Sequence, residues 1–455
     1  MEEEIVTDHI NAREIVLDML LEVIEGDKYS HTVLNQTLKK YQHLEKQERA
    51  FISRLYNGTV KRYLTLDYVI NQFASLTVQK MKPLIRNLLR MSVYQIMYMD
   101  QVPVSAVCNE AVNLAKKRGF TKLSGFVNGV LRNISRDSQN VKYPDKLKDP
   151  TSYLEVTYSF PKWLVVELLR QYEFETVEIM LSASLKEKET TIRCNKNKIS
   201  PVKLKLLLEQ EGVTVEQSDY LDYAFKIKDY DYLEKLESFQ KGYFAIQDVS
   251  SMLACEAAGI TENDYVVDVC AAPGGKTLHA AETAKKVSAR DLTVYKIKLI
   301  EENINRLGFT NVETKVWDAT KQDDEIINQA DVVIADLPCS GLGVIGKKSD
   351  IKYKLTQNQH NELVELQRLI LNIAEKYVKV GGVLIYSTCT VNSEENQGNR
   401  DWFLANYSFH AESLDPYLPE QLKGETSKDG YLQLLQGVHN TDGFFLSRYK
   451  KHELE

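Results

Sequence analysis

A chain of 455 residues exceeds what one ordinary hydrophobic core accommodates, so two or three domains are expected. With 43% hydrophobic and 27% charged residues the composition is that of a globular protein, and no apolar run approaches the length of a membrane span. The net charge of −7 argues against a general coat for nucleic acid, but the charge is unevenly spread: residues 1–150 carry +5 and the remainder −12. A basic front on an acidic body is the footprint of an RNA-contacting module or else a chance asymmetry of solvated surface. The opening Met1-Glu-Glu-Glu is acidic and has no apolar core of a signal peptide, so a cytoplasmic location is expected. The six cysteines, at 108, 194, 255, 270, 339 and 389, form no CxxC pair. Neither a zinc site nor a disulfide framework is expected, and free thiols suit a reducing compartment.

The first part reads as helical. Ala12, Ile15, Val16, Met19, Leu20, Val23 and Ile24 follow the spacing of an amphipathic helix. Pro83 and Pro103 each open a helix, the second placing Cys108 on an apolar face as a small core side chain, and Gly125–Arg132 forms a short buried helix with a basic end. An all-helical bundle is expected to end near Asp137, with a polar linker over 138–150 and a helix from Pro161. Strands at Thr190–Cys194, Val213–Glu216 and Ala224–Ile227, with a helix over 201–212, predict a small α+β subdomain within 151–241.

From about Gly242 strand and helix alternate. Strands are expected at Tyr265–Val269, Val287–Arg290, Val312–Val316, Val332–Ala335 and Val383–Ser387, with helices over 276–285, 294–306 and 359–379, the last ended by Gly381-Gly382. This alternation predicts a doubly wound parallel sheet over 242–455.

Two of those strands run into cysteine: Ile334-Ala-Asp-Leu-Pro-Cys339 and Leu384-Ile-Tyr-Ser-Thr-Cys389. If they are neighbours in one parallel sheet, both thiols and Asp336 emerge at the same edge. Carbon 5 of cytosine is a poor nucleophile. A thiolate added at carbon 6 makes it enamine-like and able to attack an electrophilic methyl group, after which the carbon 5 proton leaves and the thiolate is expelled. The chemistry needs a nucleophilic thiol, an acid near N3 and a base, for which Cys339, Cys389 and Asp336 are the candidates. It does not decide which thiol attacks. The turn Asp268-Val-Cys-Ala-Ala-Pro-Gly-Gly-Lys276 lets backbone N–H groups approach a ligand but lacks the spacing of a phosphate loop. Asp268, Asp291 and Asp318 stand at successive strand ends, where an acid meets ribose hydroxyls or an adenine edge, so an adenosine-type pocket is expected. Lys347, Lys348, Lys352, Tyr353 and Lys354 read either as a strip for an RNA backbone or as a mobile solvated loop.

On these residues the chain resembles the RNA cytosine-5 methyltransferases, and more closely the bacterial RsmB (Sun) family acting on small-subunit rRNA. Cys270-Ala-Ala-Pro-Gly-Gly-Lys276 is similar to that family's cofactor loop, and Asp336-Leu-Pro-Cys339 and Tyr386-Ser-Thr-Cys-Thr390 to its cysteine motifs. Gln247–Ser251, Asp350–Lys352 and Asp442–Phe445 match further signatures, while Trp317 and Ser349 stand where the family commonly has glycine and proline. The resemblance implies a NusB-like helical domain over 1–137, an RNA-contacting α+β subdomain over 151–241 and a Rossmann-like catalytic domain over 242–455. It implies Cys389 as nucleophile, Cys339 as the group assisting its release and Asp336 on the cytosine side. S-adenosylmethionine would lie on Cys270, Ala271, Ala272, Pro273, Gly274, Gly275 and Lys276, with Asp291, Asp318 and Asp336. The implied partner is 16S rRNA, met by a monomer, with no DNA, membrane or metal involved. The rival expectations are methylation of another RNA such as tRNA, a non-catalytic RNA-binding assembly factor, and a thiol hydrolase.

Overall fold

The computed structural model describes residues 11–452, and the acidic opening Met1–Glu4 lies outside the described residues. Contacts divide the chain into two compact units: Met1–Lys186 together with Ile345–Lys354, and Glu187–Val344 together with Leu355–Glu455. Among the described residues no helix is long and apolar enough to cross a membrane.

The first unit is helical. The expected helices appear at Ala12–Leu20, Pro83–Tyr98, Val104–Lys117 and Ser124–Asp137, joined by Ser30–Lys40, Lys46–Lys61 and Tyr63–Phe73. Their apolar faces close on a core that includes Leu20, Leu55, Leu88, Cys108 and Leu131. Arg90 is buried in that bundle and grips Asp67 with two hydrogen bonds of 2.7 Å, a forked pairing that offsets the cost of desolvating both charges. The helices Pro150–Tyr158, Lys162–Gln171 and Phe174–Leu185 also cluster with this unit, whose contacts run to Lys186.

The segment Ile345–Lys354 is anchored in the helical unit. Ser30 donates to Asp350 from its backbone N–H at 3.0 Å and also from its hydroxyl, which supplies a missing cap to the helix Ser30–Lys40. The buried Lys352 Nζ donates to the carbonyls of Lys61 and Tyr158 at 3.0 and 3.4 Å and lies 4.3 Å from the Phe160 ring centroid. Burial holds this amine well below the ordinary lysine range, with Lys61 and Arg62 adding to the effect. The Tyr353 hydroxyl donates to the Lys61 carbonyl at 2.9 Å. The sequence leaves two open readings for Lys352 and Tyr353, an RNA-facing strip or a mobile solvated loop; both are corrected for these two residues, which are structural anchors. The signal was misleading because their partners lie 194 and 291 residues away in sequence.

The second unit holds two sheets. The smaller is antiparallel, built from β1 (Thr190–Cys194), β2 (Thr214–Gln217), β3 (Ala224–Lys228) and β4 (Phe244–Ile246) in the order β2-β3-β1-β4. Its core residues Ile192, Phe225 and Phe244 continue into Leu253, Val266 and Ile334, so it shares one interior with the larger sheet. The larger sheet contains β5 (Tyr265–Asp268), β6 (Lys286–Asp291), β7 (Val312–Val316), β8 (Ala330–Asp336), β9 (Val378–Thr388), β10 (Phe409–Ala411), β11 (Tyr431–Leu434) and β12 (Phe444–Lys451). Strands β7-β6-β5-β8-β9 are parallel, as the β/α alternation predicts, and their Val- and Ile-rich sequences suit burial on both faces.

Three features differ from expectation. Beyond β9 the sheet turns antiparallel: β12 pairs with β9, and β10 and β11 pair with β12. The helix expected over 276–285 is Gly275–Ala280, because Asn311 Nδ2 takes the carbonyls of Ala281 and Ala284 at 3.0 and 2.8 Å. The helix Gln357–Tyr377, opened by a capping box of Thr356 and Gln359, ends before Gly381-Gly382; the glycines sit in an irregularity of β9, where the register jumps between Ala330–Val378 and Val332–Val383.

Because Asp350 is buried and accepts two hydrogen bonds from Ser30, Asp350→Ala should destabilise the helical unit by about 1–3 kcal/mol. Urea unfolding monitored by hydrogen exchange over residues 30–40 checks this, and unchanged protection contradicts it.

Candidate functional site

Strands β8 and β9 pair in parallel with Asp336 opposite Ser387, so the segments that follow leave the sheet side by side. The Cys339 and Cys389 sulfurs lie 3.3 Å apart. Cys389 is reached through Thr388 and Cys339 through Leu337-Pro338, whose Leu337 N–H still donates to the Ser387 carbonyl at 3.0 Å. The two loops are also joined by backbone: Gly343 N–H donates to the Cys389 carbonyl at 3.0 Å and Gly443 N–H to the Gly343 carbonyl at 2.9 Å. A Cβ on Gly343 would stand 1.9 Å from the Gly443 oxygen and one on Gly443 2.7 Å from the Gly343 Cα, so this approach requires glycine at both positions. The hydrogen bond to Cys389 raises the Cys339 thiol well above its usual range, with burial and the Glu395 charge adding to the effect. Cys339 is thus held as a neutral thiol against its partner.

Asp336 sits at the end of β8 and is fixed on both oxygens. Lys276 Nζ donates to Oδ2 at 2.7 Å and the Ser387 hydroxyl to Oδ1 at 2.8 Å. Burial pulls the Lys276 amine down, but Asp336 outweighs it and the ammonium form is favoured. Lys276 also lies 5.0 Å from the Phe444 ring centroid. The sequence places Lys276 in the cofactor turn; the structure gives it the further task of orienting Asp336, a contact across 60 residues that no local pattern reveals.

The turn after β5 is threaded between its neighbours. Val269 N–H donates to the Ile334 carbonyl at 3.1 Å and Ala271 N–H to the Arg290 carbonyl at 2.8 Å. Gly274 has φ +104°, a conformation glycine adopts without strain. Burial raises the Cys270 thiol, with Asp268 and Asp291 adding to it, which favours its neutral form. Asp268 is buried, accepts the Thr277 hydroxyl on Oδ2 at 2.6 Å, and has no partner on Oδ1 among the described residues. An unsatisfied carboxylate oxygen at the base of a Gly-rich turn fits a cationic amino group of the kind the expected methyl donor carries.

Asp291 ends β6 and accepts the N–H groups of Ala272 and Leu292 at 2.9 and 2.7 Å, with Lys296 Nζ at 2.9 Å. It buttresses the turn by way of Ala272, with Lys296 exposed beside it. Asp318 follows β7, turns onto Thr320 N–H and hydroxyl at 3.0 and 2.7 Å, and keeps about a third of its side chain exposed. Trp317 before it lies 4.4 Å from Lys315 Nζ and donates to the Lys321 carbonyl at 2.8 Å. Behind the turn, Arg193 on β1 is buried, pairs with Glu282 and donates to Gln247 Oε1 at 2.7 Å, and Gln247 packs against Gly275. Sequence reasoning singled out the Gln247–Ser251 motif but not Arg193. No cluster of His, Cys, Asp or Glu suited to a metal ion occurs among the described residues.

Comparison with known proteins adds three family matches. Residues 257–450 match the family described as 16S rRNA methyltransferase RsmB/F, residues 10–136 the NusB family, and residues 160–232 the ferredoxin-like domain of RsmF/B-like methyltransferases. The chain is similar to a probable ribosomal RNA small subunit methyltransferase B of Bacillus subtilis (strain 168), 37% identical over 97% of this chain and 99% of that protein. A protein of the same description from Synechocystis sp. is 30% identical over 97% of this chain and 100% of its own length. Among solved structures, that of PH0851 superposes with a TM-score of 0.80 at 26% identity, covering 97% of this chain and 99% of the other. NSun6 from Pyrococcus horikoshii with SFG, 24% identical with a TM-score of 0.56 over 68% of this chain and 98% of its own, shares the fold.

Burial pushes the Asp268 carboxyl up to about 7, with the Asp336 charge acting in the same direction against Thr277 and Lys276. The native state therefore keeps a proton that the unfolded chain, with its pKa of about 3.9, has lost, and stability falls as pH rises through about 4 to 7. Asp268→Asn removes that titration. Its stability relative to the unmodified protein in urea unfolding should grow in the variant's favour between about pH 4 and 7 and stay constant above; a pH-independent difference contradicts the assignment.

Proposed function

Because the chain belongs to the ribosomal RNA small subunit methyltransferase B family, we propose that it methylates carbon 5 of a cytosine in 16S rRNA through a transient bond from Cys389 to carbon 6. The observation that carries this reading is the pair of sulfurs 3.3 Å apart beside an Asp336 fixed by Lys276 and Ser387. S-adenosylmethionine, when bound, supplies an electrophilic methyl group. Residues Cys270–Lys276, Asp268, Asp291 and Asp318 are those that would hold it. The unpartnered Asp268 oxygen supports that fit.

Each group of the chain then has a task. Cys389 as thiolate adds to carbon 6 of the cytosine and pushes an electron pair toward N3, which takes up a proton that the Lys276 ammonium gives by way of the Asp336 carboxylate hydrogen-bonded to it, and returns it the same way as carbon 5 attacks. Carbon 5 gives that pair to the incoming methyl group. Cys339 assists the final step: it hands its thiol proton to the departing Cys389 sulfur and takes the carbon 5 proton in its place, as the Cys389–carbon 6 bond breaks to restore the double bond. The base must leave its stack to reach two thiols at a sheet edge. The net +5 over residues 1–150 and the NusB-family match support RNA affinity in the helical part. The enzyme acts in the cytoplasm as a monomer.

Purified protein with labelled S-adenosylmethionine should label cytosine in unmodified small-subunit rRNA and leave tRNA and DNA unlabelled; label only on tRNA, or on no cytosine, contradicts the proposal. Cys389→Ala should abolish turnover, and Cys339→Ala should accumulate a covalent protein–RNA adduct that survives denaturing electrophoresis. Retained turnover in Cys389→Ala reverses the assignment.

A further inference from the structure

The residue Glu395 belongs to neither cysteine motif, yet it lies behind both. It has no exposed surface. Its Oε2 accepts Ser340 N–H at 2.9 Å and Gln367 Nε2 at 2.9 Å, and its Oε1 accepts the Ser340 hydroxyl. The ring of the buried His360 comes within 3.6 Å of Oε1. Ser340 directly follows Cys339, and its hydroxyl is also 2.7 Å from the Thr390 hydroxyl, directly after Cys389. Gln367 holds the other side of the first thiol by donating to the Pro338 carbonyl at 2.9 Å, and is itself set by Asn399 Nδ2 at 2.7 Å. The backbone of Glu395 is fixed in turn: its N–H donates to Asn392 Oδ1 at 3.3 Å and its carbonyl accepts the Tyr386 hydroxyl from β9.

A buried carboxylate is costly unless its lone pairs are filled, and an apolar side chain of similar size would pack there at less cost. Glu395 is filled almost entirely by groups flanking the thiols or by the helix Gln357–Tyr377 behind them. The backbone hydrogen bond from Gly343 to Cys389 also joins the two loops, and the Glu395–Ser340–Thr390 contacts add a side-chain tie beside it.

We propose that Glu395 is a positioning residue that clamps Ser340 and, through it, Thr390, so that the sulfurs of Cys339 and Cys389 are held at contact distance for the reaction. The proposal rests on the reading of the thiols as the reacting pair. Glu395 touches no substrate. It acts by fixing where the thiols stand. Its negative charge also faces Cys339 and favours the neutral thiol there. A glutamine in its place presents an NH2 group to donors and cannot accept all three hydrogen bonds, whereas aspartate keeps the charge with a shorter reach.

The test uses the full chain as Glu395→Gln and Glu395→Asp, with Ser340→Ala as a milder break of the same clamp should the first variant fold poorly. Two quantities are read. One is methyl transfer to small-subunit rRNA, separated into kcat and KM. The other is the rate at which an azo oxidant closes Cys339 and Cys389 to a disulfide in the ligand-free protein, the two thiols giving up two protons and two electrons and the azo group becoming a hydrazine. Loss of the clamp should lower kcat and slow closure, each by about tenfold or more in Glu395→Gln, because small misplacements of reacting groups carry such penalties. KM for rRNA and S-adenosylmethionine should stay within about twofold, and Glu395→Asp should recover part of both rates. A purely structural role lowers the melting temperature and leaves kcat and closure unchanged. If either rate in Glu395→Gln and Ser340→Ala matches the unmodified protein, the clamp is overturned. Should the unmodified protein label no cytosine, the reading of the reaction fails, while the closure rates still decide whether Glu395 sets the thiol geometry.

Discussion

The register of two neighbouring parallel strands governs this molecule's candidate chemistry. With Asp336 opposite Ser387, the chain leaves β8 and β9 at one level, and the residues that follow are obliged to share a sheet edge. The thiol contact, the Ser387–Asp336 hydrogen bond and the Ser340–Thr390 hydroxyl pair all follow from that one alignment. A slip of one residue would turn each side chain to the opposite face. The irregularity at Gly381-Gly382 takes up the extra length of β9 before this register begins.

Around that edge the protein has buried charge in pairs rather than alone. Arg193 and Glu282 are taken out of water together, and the buried Lys276 is paired with a half-buried Asp336. Glu395 is neutralised by donors instead of a cation. Asp268 is the exception, with one oxygen unanswered, and it lies beneath the Gly-rich turn. A buried carboxylate oxygen left unsatisfied beneath a Gly-rich turn suits ligand contact, because the folded chain alone gains nothing from it. The two thiols are treated unequally by the same surroundings: the Glu395 charge bears on Cys339, and the backbone approach of Gly343 fixes Cys389.

Much of this was legible in the sequence because its signals are local. The parallel strands show as short Val- and Ile-rich runs, and the site residues stand where those runs end: Asp268, Asp291, Asp336, Cys339 and Cys389. The helical front shows in the spacing from Ala12 to Ile24 and in the prolines at 83 and 103. What remained hidden is long-range. The strand Phe444–Lys451 carries Arg448 and Lys450 among its apolar residues and is set antiparallel beside β9, a pairing across some sixty residues. Lys352 and Tyr353 carry the composition of an RNA-binding loop, yet both are tied to carbonyls of the helical unit, and Lys352 is buried there. Glu395 looks like one more acid in Ser393-Glu-Glu-Asn396 until Ser340, 55 residues earlier, is found against it.

The central claim is that Cys389 bonds to carbon 6 of a cytosine while carbon 5 receives a methyl group. Fluorine at carbon 5 leaves no proton to remove, so an enzyme working this way stalls after methyl transfer with the base still attached. Small-subunit rRNA containing 5-fluorocytosine, incubated with the unmodified protein and S-adenosylmethionine, should yield a proteolytic peptide in which Cys389 carries a methylated fluorocytidine, read by mass spectrometry. A nucleotide on Cys339 instead, or no covalent complex with an rRNA that the protein otherwise methylates, would contradict it.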